Sequence, residues 1–156
     1  MKQRVYIDTS VIGGCFDEEF EIWSNGLFDD FKSGIRIAVV SDITIDELSD
    51  APQIVQDNFK TIPDESLEVL FADSEVKRLA DLYILDKAVS ERFIEDALHI
   101  AVATINKVNV LASWNFKHIV NLNRIRQYNA VNLKNGYQIL EIRTPREIIN
   151  PDKDED

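Results

Sequence analysis

Short apolar runs alternate along the chain with longer segments whose apolar residues recur at helical spacing. Strands separated by helices pair in parallel through right-handed crossovers, and the helices then cover both faces of a buried sheet. The alternation therefore predicts an α/β fold, a three-layer α/β/α arrangement around a mainly parallel central sheet. The candidate strands are VYI at 5–7, IRIAVV at 35–40, LEVLFA at 67–72, VNVLAS at 108–113 and QILEIR at 138–143. The short apolar run of LEVLFA also fits a helix.

Helical patterns fill the intervals between these strands. Apolar residues from Phe16 to Phe31 recur at helical spacing before Gly34, which suits a helix stop. The segment SDITIDELSDAP predicts a helix that ends near Pro52, because the residue before a proline avoids helical geometry. A short helix followed by a turn is predicted at 53–63, and further helices at 74–87, 91–107, 116–121 (FKHIVN) and 123–133.

The length of the chain, 156 residues, fits one domain, which can bury about two thirds of its unfolded surface. We expect residues 1–150 to form this single domain and the acidic PDKDED at 151–156 to be a disordered tail. No apolar run reaches the length of a membrane span, and the N-terminus lacks the apolar stretch of a secretion signal. These features predict a cytoplasmic protein.

The charge of the chain is unevenly distributed. The formal net charge is -11, which argues against simple attraction to nucleic acid. Residues 103–147 nevertheless hold seven basic against two acidic residues, a local charge of +5, together with eight asparagines and four tyrosines, tryptophans or phenylalanines. This mixture can contact phosphates, base edges and base faces. The alternative is a solvated, slightly basic helical face.

Three acidic residues are predicted to meet at one edge of the sheet. Asp8 ends the first strand, Glu47 follows the second strand by about one helical turn, and Asp96 lies beside the packing face of a later helix. Loops that leave the carboxyl ends of neighbouring parallel strands converge on one crevice. Each acid also has a simpler explanation: Asp8 as a turn cap through Ser10, Glu47 in a capping box with Thr44, and Asp96 as an exposed helix residue.

Carboxylates held together repel one another unless a cation lies between them. Oxygen ligands suit magnesium or manganese, and magnesium takes one or two carboxylates while keeping several waters. A metal bound in this way lowers the pKa of a bound water and neutralises charge on a phosphate. The three acids therefore predict a metal-dependent hydrolysis of phosphodiester bonds.

Four stretches resemble the PIN-domain ribonucleases, a family that includes the VapC-type toxins of toxin-antitoxin pairs. They are VYIDTSVI at the start, SDITIDEL around Glu47, EDALHIAVA around Asp96 and ASWNFKHIVN after the fourth strand. The resemblance covers nearly the whole chain. It implies a PIN-like sheet flanked by helices, a Mg²⁺- or Mn²⁺-dependent nuclease that cleaves RNA, and commonly a homodimer. By position, Asp8, Glu47 and Asp96 would be the catalytic, metal-binding acids.

The stretch after the fourth strand departs from the family pattern. Members often carry a further acid in a Thr-Arg-Asn-x-x-Asp-Phe pattern, where this chain reads Ser113-Trp114-Asn115-Phe116-Lys117-His118-Ile119. Asn115 keeps the asparagine, and His118 stands where the acid would be. The loss of one carboxylate weakens a second metal site. We therefore expect one tightly held metal, with a second arriving only with substrate, if at all.

Several residues are candidates for supporting roles. Ser10 and Asn115 can hydrogen-bond a carboxylate or a metal-bound water, as supporting residues do in metal sites. His118 can bind phosphate, shuttle a proton near neutral pH, or pack in the structure. His99, three residues after Asp96, is expected behind the ligands or in the core.

Glu95 competes with Asp96 for the metal, because adjacent helix residues face about 100° apart. Only one of the two is expected to reach the metal directly. We choose Asp96, where the match to DALHIA begins. The basic residues predicted to contact RNA are Lys117, Arg124 and Arg126.

Three functions remain open at this point. The first is a metal-dependent endoribonuclease, which can be a toxin silenced by an antitoxin protein. The second is a catalytically weak or inactive PIN-like module that binds RNA or a protein. The third, a phosphatase-like fold with an aspartyl nucleophile, usually needs a second acid two residues after the first, where this chain has Ser10.

Overall fold

A parallel five-stranded sheet forms the centre of the molecule in the computed structural model, which describes residues 1–149. The strand order is β3-β2-β1-β4-β5, and every neighbouring pair is parallel. The predicted α/β class is therefore confirmed. The strands are β1 (Gln3–Ile7), β2 (Arg36–Ser41), β3 (Leu67–Leu70), β4 (Val110–Ala112) and β5 (Ile142–Arg143).

Helices connect these strands, as parallel pairing requires. They are α1 (Thr9–Gly14), α2 (Glu21–Ser33), α3 (Asp42–Ser49), α4 (Gln53–Phe59), α5 (Ser74–Leu85), α6 (Ile94–Ile105), α7 (Leu122–Lys134) and α8 (Pro145–Ile148). Two single 3₁₀ turns, Asp64–Ser66 and Glu91–Phe93, precede β3 and α6.

Two apolar cores lie on opposite faces of the sheet, because successive strand residues point to opposite sides. Tyr6 of β1 faces a core built with α5, α6 and α7. Val5 and Ile7 of the same strand face a second core that includes residues of α1, α2, α3 and α4. The arrangement has the three layers that the alternation predicted.

The strand order reverses at β1. From β1 the chain builds outward through β2 to β3, and it then crosses back to place β4 and β5 on the other side. In open parallel sheets, ligand sites form outside the carboxyl ends of the strands at such a reversal. The carboxyl ends of β1 and β4 therefore mark the place to look for a site.

The first and last thirds of the chain differ from the predicted elements. Residues 9–14 form a helix, α1, although Gly13 and Gly14 are poor helix formers; the Asp8 side chain caps this helix at Val11. The helix predicted from Phe16 begins at Glu21 instead. Helix α8, which begins at a proline, was not predicted.

The segment FKHIVN at 116–121, predicted to be a short helix, forms turns instead. The Asn115 side-chain oxygen accepts hydrogen bonds from the backbone amides of Lys117 and His118, at 3.2 and 2.9 Å. Such a local side-chain acceptor competes with helical hydrogen bonding. The predicted strands 108–113 and 138–143 are also shorter, at Val110–Ala112 and Ile142–Arg143.

None of the helices within residues 1–149 combines the length and apolar character needed to cross a membrane. The acidic tail predicted at 151–156 lies outside the described residues.

Candidate active site

Asp8 lies at the carboxyl end of β1, next to the reversal of strand order. Its two carboxylate oxygens accept hydrogen bonds from the hydroxyls of Ser10 at 2.5 Å and Ser113 at 2.6 Å. Burial raises the pKa of Asp8, while the charge of His99 and these hydrogen bonds oppose the rise. The same carboxylate caps α1 at Val11. Asp8 can therefore cap α1 and also belong to a functional site.

Glu47 is anchored by two neighbouring side chains rather than by its own helix. Ser41 and Thr44 form the capping box of α3, so Glu47 has no part in it. Its Oε1 accepts hydrogen bonds from His99 Nε2 at 2.6 Å and from Thr9 Oγ1 at 3.2 Å. Its Oε2 has no hydrogen-bond partner among residues 1–149. One oxygen of Glu47 is thus held in place and the other is left for water or a ligand.

His99 joins Glu47 to the interior of the protein. Only 1% of the residue is exposed, and its Nδ1 lies 2.6 Å from the Tyr6 hydroxyl. That hydroxyl lies in turn 2.7 Å from Ser41 Oγ at the end of β2. Burial disfavours the charged imidazole, but Tyr6, Glu47 and Asp8 raise the pKa of His99 well above its usual value. His99 therefore orients Glu47 from the buried side of the site, and the raised pKa favours its charged form.

Asp96 lies in the first turn of α6. The negative charges of the other acids of the site act on its carboxylate. Burial raises the pKa of Asp96 to about 6, with His99 opposing the rise and the charges of Asp8, Glu47 and Glu95 adding to it. The negative charges of the three predicted acids thus act on one another. We call Asp8, Glu47 and Asp96 together the acid group. They come from β1, α3 and α6, which are far apart in the sequence.

Glu95 is exposed and lies on a different side of α6 from the buried residues. It lines a cleft of about 300 Å³ that also contains the carboxylates of Asp46, Glu47 and Asp50. We call this the acidic cleft. Glu47 is the residue that the acidic cleft and the acid group have in common.

Asn115 and His118, the two residues at the departure from the family pattern, lie in different surroundings. Asn115 Nδ2 is 3.5 Å from Asp96 Oδ1, at the limit of a hydrogen bond. His118 is 8% exposed and stacks on the ring of Phe93, with 3.7 Å between ring centroids. Burial, followed by the charges of Arg124 and Lys117, lowers the pKa of His118. His118 is therefore packed as a neutral ring.

The predicted RNA-binding residues lie near one another in sequence but differ in their contacts. Lys117 and Arg126 are exposed, as a phosphate contact requires. Arg124 is partly buried, and its guanidinium donates a hydrogen bond to the Ala88 carbonyl at 2.8 Å. Arg124 thus has a structural contact of its own.

Tyr6, Ser41 and Ser113 belong to the site, although none was assigned a role from the sequence. The sequence pattern around Tyr6 predicts a strand residue and gives no indication of a role in a site. Ser41 and Ser113 each end or directly follow a strand, as Asp8 does. Because parallel strand ends meet at one edge, polar residues at these positions are the pattern that could have identified them.

The donors at this site fit a magnesium or manganese ion held by two carboxylates. These ions prefer carboxylate and amide oxygens, and magnesium keeps several of its waters. Within residues 1–149, no three His, Cys, Asp or Glu side chains are arranged to hold a metal ion together, and Glu47 pairs with His99. Burial is the main cause of the raised pKa of Asp96, and a cation would relieve the part that the charges of Asp8, Glu47 and Glu95 add. Asp8 and Asp96 are thus the residues that fit as direct ligands.

The chain is similar in fold to a solved bacterial toxin. The crystal structure of VapC20 from Mycobacterium tuberculosis, a toxin that cleaves the sarcin-ricin loop, superposes with a TM-score of 0.56 and 10% sequence identity. The similarity covers 73% of this chain and 92% of VapC20. No family model matches the chain, and no curated protein matches it in sequence. The two proteins thus share a PIN-like fold.

Proposed function

We propose that this protein is a metal-dependent endoribonuclease. The observation that carries the proposal is the convergence of Asp8, Glu47 and Asp96: burial raises the pKa of Asp96 to about 6, and the charges of Asp8 and Glu47 add to the rise. An enzyme that uses a cation can retain such a costly charge cluster, since the cation offsets the repulsion. The PIN-like fold shared with an RNA-cleaving toxin supports RNA as the substrate.

The cofactor in this proposal is Mg²⁺ or Mn²⁺. Asp8 and Asp96 would hold the ion, with Glu47 and Asn115 as partners for its waters. When bound, such an ion lowers the pKa of a coordinated water and offsets the charge of a phosphodiester. Ser10 and Ser113 orient Asp8 through their hydrogen bonds and oppose the rise of its pKa that burial causes. His99 holds Oε1 of Glu47, so that Oε2 can accept a proton or a hydrogen bond from water.

A protein that binds RNA or another protein without cutting is the second candidate. Glu47 already pairs with His99, and no metal-holding group of three such side chains occurs in the part of the chain that the structure describes. His118 replaces the further acid of the family. These features favour weak or absent catalysis.

Cleavage of single-stranded RNA in the presence of manganese tests the first candidate. Purified wild type should cut, and Asp8→Asn should lower the rate by about 100-fold or more, as expected for the loss of a metal ligand. Asp81→Asn, an exposed acid on α5, is the matched control and should cut like wild type.

Cutting that persists in EDTA or in Asp8→Asn would contradict the proposed site. If the wild type binds a broad set of RNAs but cuts none of them, the binding module is the correct function.

The toxin role, an antitoxin partner, a homodimer and a cytoplasmic location are further parts of the proposal. A neighbouring open reading frame that encodes a small DNA-binding protein would support the toxin role. Co-expression of that protein should suppress cleavage, and light scattering should give twice the 17.9 kDa mass of the chain. A monomer in solution would rule out the homodimer without affecting the nuclease proposal.

A further inference from the structure

A pocket lined by aromatic rings lies at the carboxyl edge of β4 and β5. It has a volume of about 320 Å³, and its walls include Phe20, Trp23, Trp114 and Phe116, with Thr144 and Arg146 from the segment after β5. We call it the aromatic pocket. None of these residues has a role in the acid group.

The rings of the aromatic pocket pack against one another, and Phe116 remains accessible to solvent. Phe20 stacks on Trp114 with 4.2 Å between centroids and an interplanar angle of 16°. The Phe116 ring lies 6.1 Å from Phe20 and 6.2 Å from Trp114, and Phe116 is 50% exposed. Exposed aromatic rings beside a polar site are typical of binding surfaces. Phe116 thus presents a flat apolar face to solvent, whereas Trp114 is 8% exposed.

The aromatic pocket is directly connected to the acid group. The Trp114 amide donates to Ser10 Oγ at 2.9 Å, and that hydroxyl donates to Asp8. Along this segment, Ser113 and Asn115 contact Asp8 and Asp96, while Trp114 and Phe116 line the pocket. Consecutive Cα atoms are about 3.8 Å apart. The pocket therefore begins one residue away from the acid group.

The charges around the site direct a polyanion toward the aromatic pocket. On the side of α3, the acidic cleft collects the carboxylates of Asp46, Glu47, Asp50 and Glu95, which repel phosphates. On the side of β4 and β5, Arg146 lines the pocket and the exposed Lys117 follows Phe116 in the chain. An RNA strand with a phosphate at the acid group is thus favoured to continue over the aromatic pocket and not over the acidic cleft.

The polar groups of the aromatic pocket suit a planar ring with hydrogen-bonding edges. The guanidinium of Arg146 lies over the Trp23 ring, 4.9 Å from its centroid. Glu19 also lines the pocket, and its carboxylate can accept hydrogen bonds from base amino groups but repels a phosphate. Bases bound outside a helix stack on aromatic side chains and arginine planes.

We propose that the aromatic pocket binds a nucleobase of single-stranded RNA next to the nucleotide held at the acid group. The proposal deepens the ribonuclease function and rests on it for the position of the scissile phosphate. Base binding itself requires no metal and no cleavage, so the two can be tested separately.

Intrinsic fluorescence tests the proposal, since both tryptophans of the chain, Trp23 and Trp114, line the pocket. Wild-type protein in EDTA at low salt is titrated with hexauridylate and with an abasic ribose-phosphate hexamer of the same charge. We expect saturable quenching by hexauridylate and a Kd at least about fivefold weaker for the abasic strand, the lower end for the loss of one stacked base.

Two phenylalanine variants locate the effect. Phe116→Ala should weaken hexauridylate binding by about fivefold or more, and Phe116→Tyr, which keeps a ring, should retain the affinity. Phe71→Ala is the matched control, because Phe71 is 69% exposed and follows β3 at the opposite end of the sheet. Its affinity should equal that of wild type.

Equal affinity for the base-containing and abasic strands, or equal affinity of Phe116→Ala and Phe71→Ala, would overturn the proposal. An absence of quenching by any base-containing strand would also overturn it and would leave the pocket to a protein partner. Failure of cleavage with base-dependent quenching intact would affect only the nuclease proposal.

Discussion

His99 Nε2 lies 2.6 Å from Glu47 Oε1, although the two residues are 52 positions apart in the sequence. The pairing places a buried histidine between an acid of the site and the Tyr6 hydroxyl in the core. Burial disfavours the charged form of His99, but Tyr6 and Glu47 raise its pKa, and His99 in turn opposes the rise in the pKa of Asp96. The position of Glu47 therefore depends in part on Tyr6 and His99, which are buried in the core.

Removal of the Tyr6 hydroxyl should loosen this arrangement. In Tyr6→Phe, the buried His99 Nδ1 and Ser41 Oγ each lose a short hydrogen bond, at a cost of about 1–3 kcal/mol in the free energy of unfolding. Because His99 then holds Glu47 less firmly, the apparent affinity for manganese should fall as well. Urea unfolding and a manganese titration of cleavage measure the two effects.

Tyr83→Phe is the matched control for this variant. The Tyr83 hydroxyl is also buried and bonded, to Asn132 and Thr104, but it has no contact with the acid group. Tyr83→Phe should lose stability and keep its metal affinity. A similar loss of metal affinity in both variants would show that the effect is a general one of stability.

Asp96→Asn should stabilise the metal-free protein at neutral pH. The unfolded carboxyl titrates near 3.8 and the folded one near 6, so the folded state binds the extra proton between these values. The free energy of unfolding of wild type therefore falls as pH rises from about 4 to 6, and that of Asp96→Asn does not fall for this reason. We expect a gain on the order of 1–2 kcal/mol at pH 7, after allowance for partial exposure.

Urea unfolding of wild type and Asp96→Asn in EDTA, at pH 4 and pH 7, measures this difference. The two proteins should differ much less at pH 4, where the folded carboxyl is protonated and the unfolded one is only partly ionised. Magnesium should then stabilise wild type more than the variant. A variant that is less stable than wild type at pH 7 would contradict the proposed charge crowding.

His118→Phe should keep both folding and cleavage. The substitution preserves a ring against Phe93 and removes Nδ1, a buried nitrogen without a hydrogen-bond partner among residues 1–149. The free energy of unfolding should be unchanged or higher by up to about 1 kcal/mol. RNA cleavage compared with wild type is the measurement. A loss as large as that of Asp8→Asn would place His118 among the reacting groups.

Gly14→Ala should disturb the wall of the aromatic pocket. A Cβ at Gly14 would lie 2.6 Å from Ser24 Oγ and 2.8 Å from Trp114 Nε1, two atoms that hydrogen-bond to each other. We expect a loss of about 1–3 kcal/mol in the free energy of unfolding and a shift in tryptophan emission. Gly13→Ala is the control, since its Cβ meets nothing within 4 Å.

Gly13→Ala should be neutral or stabilising, because alanine favours a helix over glycine by about 1 kcal/mol. Equal stability of Gly14→Ala and Gly13→Ala would mean that the side chains of Trp114 and Ser24 move to make room for the added methyl group.

The strands and most of the helices could be predicted because their signals are local. The apolar runs that contain Val5 and Val110 lie in strands, and the pattern from Ser74 follows the turns of α5. The secondary-structure predictions failed where a side-chain hydrogen bond overrode the helix or turn preference of the local sequence. Asp8 caps a helix that ends in two glycines, and Asn115 holds residues after it in turns.

The acids of the site could be proposed from strand ends, whereas their partners could not. Asp8 is adjacent to a strand, so its position follows from the fold class. The contacts of Ser113 with Asp8 and of His99 with Glu47 join residues 105 and 52 positions apart. No local pattern specifies which side chains meet over such separations.

By itself, the sequence determined the alternation of strands and helices and the place of Asp8 at the end of the first strand. Only the tertiary structure decided that His99 orients Glu47, that His118 packs on Phe93, and that four aromatic residues line a pocket beside the acids. The physical reason is that hydrophobic periodicity records which face of an element is buried. The partner that covers that face is selected by packing among elements distant in the chain.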